Sequence, residues 1–235
     1  MSIQVTNLTK AYGAQHAIDG ISFDLKPGEI VGFLGPNGAG KSTTMKILTG
    51  YLKPSDGKAR VADYDVIEQS MLARRSIGYL PEHNPLYLDM YVREFLLFSG
   101  KLYGLSGDSL KSRVNEMIVM CGLEVEKHKK IGQLSKGYRQ RVGLAQSFLH
   151  DPSVLILDEP TTGLDPNQIQ EIRELIRTAG KNKTVLFSTH IMQEVEALCD
   201  RVIIINKGKV VSDSSLETLR ASGNSLEEIF RNLTH

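Results

Sequence analysis

The sequence predicts an α/β fold: a largely parallel sheet with helices between its strands, opened by antiparallel strands and interrupted by a helical insertion. Three observations carry it. Short apolar runs rich in β-branched residues recur along the chain, amphipathic helical patterns separate them, and residues 91–150 show helical patterns without a convincing strand. Residues 1–235 read as one domain, with 1–90 and 151–235 supplying the sheet and 91–150 the insertion.

At the N-terminus, Ile3, Val5, Ile21, Phe23 and Leu25 alternate with other residues, the pattern of antiparallel strands with one exposed face. The runs 30–34, 154–157, 185–187 and 202–205 are continuously apolar, as strands buried on both faces must be. The clearest helix follows Asp165, a capping residue. Pro166 suits the first helical position, Ile169, Ile172, Leu175 and Ile176 make one stripe, and Gly180 ends it. Within the insertion, residues 91–102 and 110–121 carry apolar side chains at three- and four-residue spacing. Asn206-Lys207-Gly208-Lys209 reads as a hairpin turn.

Composition limits the partners. Lys and Arg number 28 against 27 Asp and Glu, so net charge offers no long-range attraction for a nucleic acid, and a phosphate ligand must be bound locally. Cys121 and Cys199 show no metal spacing and read as core thiols in a reducing compartment. The N-terminus lacks a basic region followed by an apolar one, and no window approaches the roughly 18 apolar residues of a membrane span. The expectation is a cytoplasmic protein that does not insert into a membrane and reaches one only through a partner.

Gly35-Pro36-Asn37-Gly38-Ala39-Gly40-Lys41-Ser42-Thr43 fits G-x-x-x-x-G-K-[ST], directly after an apolar strand and before a helix. Glycines let backbone N–H groups converge on a triphosphate, and a helix starting near Gly40 adds the positive end of its dipole. Lys41 supplies a charge for the β- and γ-phosphates, Ser42 a hydroxyl for Mg²⁺, and Thr43 lies by the α-phosphate. Downstream, the strand 154–157 ends in Asp158 and Glu159, which places two carboxylates at the carboxyl edge of the sheet, where the phosphate loop also opens. Asp158 suits Mg²⁺, and Glu159 suits the general base that polarises water. His190 ends another strand and reaches the same crevice as a donor to the γ-phosphate.

The segment Leu134-Ser135-Lys136-Gly137-Tyr138-Arg139-Gln140-Arg141 resembles the LSGGQ-type signature of ABC transporter ATPases. The rest of that family's pattern falls in order around it: Tyr12 in the A-loop position, Glu82 in the Q-loop position, Gly163-Leu164-Asp165 as D-loop, and His190 as the switch histidine. The resemblance implies a P-loop NTPase with a RecA-like core, an antiparallel β-subdomain and a helical subdomain. It implies two copies facing head to tail, each ATP held between one copy's phosphate loop and Ser135 and Gly137 of the other, with Tyr12 stacked on adenine. Glu82 would join Ser42 and Asp158 near Mg²⁺ and border the groove that receives a membrane partner. Lys136, Tyr138 and Glu82 depart from the commonest family residues; such replacements resemble the branch serving ABC-2-type exporters, as do Tyr79-Leu80-Pro81-Glu82 and the closing Ser225-Leu226-Glu227-Glu228-Ile229-Phe230. Residues 79–103 resemble ATPases linked to bacterial gliding motility. Together these imply an ATPase peripheral to the cytoplasmic face of the inner membrane, with an ABC-2-type permease as partner.

Rival classes fit less well. A soluble ABC ATPase acting on ribosomes or DNA would carry two cassettes or a long coiled-coil insertion. A GTPase would need N-K-x-D, and residues 206–209 lack the acid. A non-catalytic module would have lost Lys41, Asp158 or Glu159, and all three are present.

Overall fold

Val154, Leu155, Ile156 and Leu157 divide between two hydrophobic layers, Val154 and Ile156 joining one cluster and Leu155 and Leu157 the other. The same division holds for Phe33 and Leu34 and for Ile203 and Ile204. A strand whose successive residues point to opposite faces becomes apolar throughout only when both faces are covered, which is why these runs were continuous.

The computed structural model describes residues 1–221 and 225–234. Its strands are β1 (Ile3–Tyr12), β2 (Gln15–Leu25), β3 (Ile30–Leu34), β4 (Asp56–Val61), β5 (Tyr64–Asp65), β6 (Ile77–Leu80), β7 (Val154–Asp158), β8 (Thr184–Thr189), β9 (Arg201–Asn206) and β10 (Lys209–Ser215). Its helices are α1 (Lys41–Leu48), α2 (Ser70–Arg75), α3 (Val92–Leu102), α4 (Gly107–Met120), α5 (Lys136–Phe148), α6 (Pro166–Ala179), α7 (Met192–Leu198), α8 (Leu216–Ala221) and α9 (Leu226–Thr234). One sheet runs β10-β9-β3-β8-β7-β6, parallel except for the β9–β10 hairpin; the other, β2-β1-β4-β5, is antiparallel. Residues from α3 to α7 fill the layer on one face of the larger sheet, and the antiparallel sheet with α1 fills the other. The architecture is that of a P-loop NTPase.

The expected elements appear with small shifts at their ends. Asp165 caps α6 and accepts from the Gln168 N–H at 3.0 Å, while Gln168 reaches back to the Asp165 N–H, a closed capping box. Gly180 ends α6 in ordinary right-handed backbone, so its role is spatial. Two residues, Lys207 and Gly208, both with positive φ, join β9 to β10, the turn whose twist suits a hairpin. Residues 91–150 contain no strand among the described residues, only an isolated bridge between Tyr91 and Lys130. Strands β4, β5 and β6 and helices α2, α7, α8 and α9 are additions to the sequence reading. Cys121 and Cys199 are both buried and unpaired. No helix among the described residues is long and apolar enough to cross a membrane.

Candidate functional site

Sheet register assembles the site. Leu34 pairs with Thr189 and Asp158 with Ser188, so the carboxyl ends of β3, β8 and β7 lie side by side. Each strand then releases one functional loop at the same edge: the glycine-rich loop after Leu34, Glu159 after Asp158, and His190 after Thr189.

The loop from β3 wraps into α1, whose N-cap is Gly40 with φ 110°. Only glycine suits this position, because a Cβ would also lie 2.5 Å from the Ala17 carbonyl oxygen on β2. The loop is backed from behind by the β9–β10 turn, where the Gly208 N–H donates to the Ala39 carbonyl at 3.0 Å. The Lys41 ammonium curls back over the loop, donating to the carbonyls of Gly35 at 2.7 Å and Pro36 at 3.3 Å. Burial pushes its pKa down, opposed by the nearby carboxylates of Glu159 and Asp158.

Opposite the loop, Asp158 Oδ1 accepts from the hydroxyls of Ser188 at 2.7 Å and Ser42 at 3.3 Å. Burial pushes the Asp158 carboxyl up, those two hydrogen bonds pull it down, and the charge of Glu82 adds to the rise. Glu159 is a non-glycine residue at φ 51°, a conformation that costs energy and that surrounding contacts must hold. Its carboxylate lies 3.7 Å from Lys41 Nζ and accepts from the Thr162 hydroxyl at 3.2 Å; His190 Nδ1 stands 2.9 Å from Oε2.

A cavity of about 560 Å³ unites these groups, lined by Ala17, Asn37, Gly38, Ala39, Gly40, Lys41, Ser42, Thr43, Glu82, Glu159, Thr162 and His190. A second of about 560 Å³ adjoins it through Ser42 and Glu82 and reaches Asp158, Tyr79 and Tyr103. Tyr12, Ser135 and Gly137 lie outside the lining of both. Tyr12 is 55% exposed at the end of β1, pairing with Gln15, two residues before Ala17. Ser135 caps α5, accepting from the Tyr138 N–H at 3.4 Å. Gly137 is buried against α6: a Cβ there would lie 2.8 Å from Gln168 Cδ, a side chain already committed to the α6 capping box. The signature also meets the 163–165 loop within one chain, where the Lys136 side chain packs on Gly163.

Sequence reasoning missed Ala17, Thr162 and Ser188. Thr162 and Ser188 sit within three residues of a recognised acid or histidine, which was their only signal. Ala17 is 18 or more residues from any loop residue it faces, and only the fold brings it there.

The profile described as ABC transporter matches residues 18–162, from beside the phosphate loop through the acid pair. The chain belongs to this ABC family. It is 40% identical over 218 residues to the uncharacterised ABC transporter ATP-binding protein YxlF of Bacillus subtilis, covering 93% of this chain and 72% of that protein. It is also 40% identical to the bacitracin transport ATP-binding protein BcrA of Bacillus licheniformis, covering 93% and 71%. Among solved structures, an ATP-binding subunit of an ABC transporter superposes with TM-score 0.91 at 32% identity, covering all of both chains. The dimeric post-hydrolysis cassette MJ0796, bound to ADP and Pi, superposes with TM-score 0.83 at 27% identity over 91% of this chain and 98% of that one. The protein is therefore the ATP-binding subunit of an ABC transporter and carries an ABC ATPase domain.

The donor set suits Mg²⁺. Ser42 and Asp158 present adjacent hard oxygens, and a small cation that keeps waters and phosphate oxygens needs only one or two protein ligands. Glu82 lines the adjoining cavity together with Ser42 and Asp158.

Proposed function

We propose that this ABC subunit hydrolyses Mg-ATP at the β3–β8–β7 edge, as one half of a head-to-tail dimer that powers an ABC-2-type exporter. One observation carries the reading. Lys41, Ser42, Glu82, Glu159 and His190 share one cavity, while Ser135 and Gly137, also expected to hold nucleotide, lie outside it. A second copy would bring them across, and the dimeric form of MJ0796 is a precedent in a relative.

In this reading the loop 35–43 binds the triphosphate through backbone N–H groups and Lys41. Ser42, Asp158 and Glu82 would hold Mg²⁺, which supplies charge neutralisation across the phosphates. Tyr12 stacks on adenine from the edge of β1. Glu159 accepts a proton from water as the water oxygen bonds to the γ-phosphorus; the bond to the β,γ-bridging oxygen breaks, and its electron pair leaves with ADP. His190 donates to the γ-phosphate and orients Glu159 through the 2.9 Å contact. Ser135 and Gly137, at the start of α5, would meet the γ-phosphate of the facing copy.

The membrane partner is read from a groove beside the site. A cavity of about 500 Å³ is lined by Tyr51, Met71, Arg74, Tyr79, Leu102 and Tyr103, and Tyr79 and Tyr103 also line the cavity reaching Asp158. Tyr51 is 81% and Leu102 72% exposed, an apolar patch that a permease segment would cover. Residues 91–150 would move as a helical subdomain when the dimer closes, with the chain held peripherally at the cytoplasmic face of the inner membrane. The resemblance of residues 79–103 extends the proposal to a gliding-associated exporter. Capture of the tagged chain from native membranes should retrieve an ABC-2-type permease; retrieval of ribosomes in its place would overturn the proposal.

A further inference from the structure

Glu194 is fully buried on α7, outside the set of residues expected to bind or react. A buried carboxyl is costly unless hydrogen bonded, so its partners show what it is for. Both oxygens are used. Oε1 accepts from the Thr161 hydroxyl, and Oε2 accepts from the Thr189 hydroxyl at 2.6 Å. Thr189 Oγ1 in turn accepts from the Ile191 N–H at 3.0 Å.

These two threonines hold special places. Thr189 directly precedes His190, and its hydroxyl clamps the backbone on both sides of that residue. Thr161 begins the turn two residues after Glu159, whose backbone stands at positive φ. Glu159 and His190 leave different strands, and they meet at 2.9 Å only if the two loops keep their spacing. All three members of the clasp are buried: Thr161 is 1% exposed and Thr189 and Glu194 are 0%. Water therefore does not compete for these hydrogen bonds. Helix α7 has a second glutamate, Glu196, which is exposed; the carboxylate that turns inward is the one bridging the two loops.

We propose that Glu194 is a positioning residue for hydrolysis: through Thr161 and Thr189 it locks the loop of Glu159 to the loop of His190. It touches neither nucleotide nor water and acts on the rate through the pair it aligns. The inference rests on the assignment of Glu159 as base.

The test is Glu194→Gln in the full chain at saturating Mg-ATP. The amide keeps the shape and one acceptor but cannot accept from both hydroxyls. Turnover should fall roughly ten- to hundredfold, the scale of a misplacement of about 1 Å, while ATP affinity stays within about twofold. Combined with Glu159→Gln, it should add nothing further to the loss of turnover, whereas its effect on melting temperature should persist. Thr161→Val should slow turnover similarly and Thr161→Ser should recover most of it, which keeps the proposal testable if Glu194→Gln does not fold. Unchanged turnover in Glu194→Gln, or losses that multiply in the double variant, would overturn it. Undiminished turnover in Glu159→Gln alone would instead overturn the assignment of the base, and this inference with it.

Discussion

At the scale of single residues, Lys41 and His150 show burial acting in opposite interests. Lys41 is 6% exposed and held over the loop by two carbonyls, so its ammonium is poised before any phosphate arrives. Lys41→Ala should weaken ATP binding by at least about tenfold, the worth of one charge-assisted contact, with turnover lost alongside; equilibrium binding of a fluorescent ATP analogue measures it. His150 is structural. Its ring stacks on Tyr103 at 3.7 Å, and its Nε2 meets the Ile77 carbonyl at 2.9 Å. Burial pushes the imidazole down to about 4. The unfolded chain therefore binds the proton first, and this group's contribution to stability is full above about pH 6.5 and lost as pH falls through about 4. Between those values the slope approaches one proton, about 1.4 kcal/mol per pH unit. Denaturant titrations across that window should show the slope in the natural chain and its loss in His150→Gln. The residues legible in advance were those whose chemistry is local: a lysine after glycine, acids after a strand. Glu194 was not, since in Met192-Gln193-Glu194-Val195-Glu196 two glutamates look alike and only tertiary packing selects one.

At the scale of elements, legibility followed burial and capping. Strand β3 was read end to end because all five residues face covered layers. Strand β6 escaped because Ile77-Gly78-Tyr79-Leu80 is short and broken by glycine; there the main chain of α5 approaches so closely that a Cβ would lie 2.2 Å from the Ser147 carbonyl oxygen. Strand β4, Asp56-Gly57-Lys58-Ala59-Arg60-Val61, shows too few apolar positions for its alternation to stand out, and β1 stabilises it across the sheet. Helix α6 was legible from both ends, and its start also meets the signature, since Gly137 packs on Gln168. Asp165→Ala should therefore do two things. It removes a capping bond, costing about 1 kcal/mol in chemical denaturation, and it frees Gln168 to shift toward Gly137. The second effect should appear as slower ATP turnover out of proportion to the stability lost; turnover that merely tracks folding would show that the α5–α6 contact carries no functional weight.

At the scale of the whole molecule, the proposed dimer would divide one reaction between two surfaces of each chain. Lys41, Ser42, Glu159 and His190 converge on a cavity, and the α5 N-terminus with Ser135 lies elsewhere on the same chain. In the proposed reading a monomer would bind phosphate on one side only. ATP can then join two copies to the extent that it binds the closed pair more tightly than the single chain, the only way a ligand shifts such an equilibrium. In the proposed cycle hydrolysis would remove that preference by separating the γ-phosphate from ADP. Glu159→Gln keeps the shape of the site and its contacts with Thr162 and His190 but replaces the proton acceptor, so binding should persist while turnover falls by about a hundredfold or more. Under Mg-ATP this variant should accumulate as a dimer in size-exclusion chromatography with light scattering, and a further Ser135→Arg change, which crowds the surface that would face the second ATP, should return it to monomer. If Glu159→Gln hydrolyses slowly yet stays monomeric at all ATP concentrations, each chain completes its site alone and the head-to-tail arrangement is wrong. A dimer that survives Ser135→Arg would place the shared surface away from the signature.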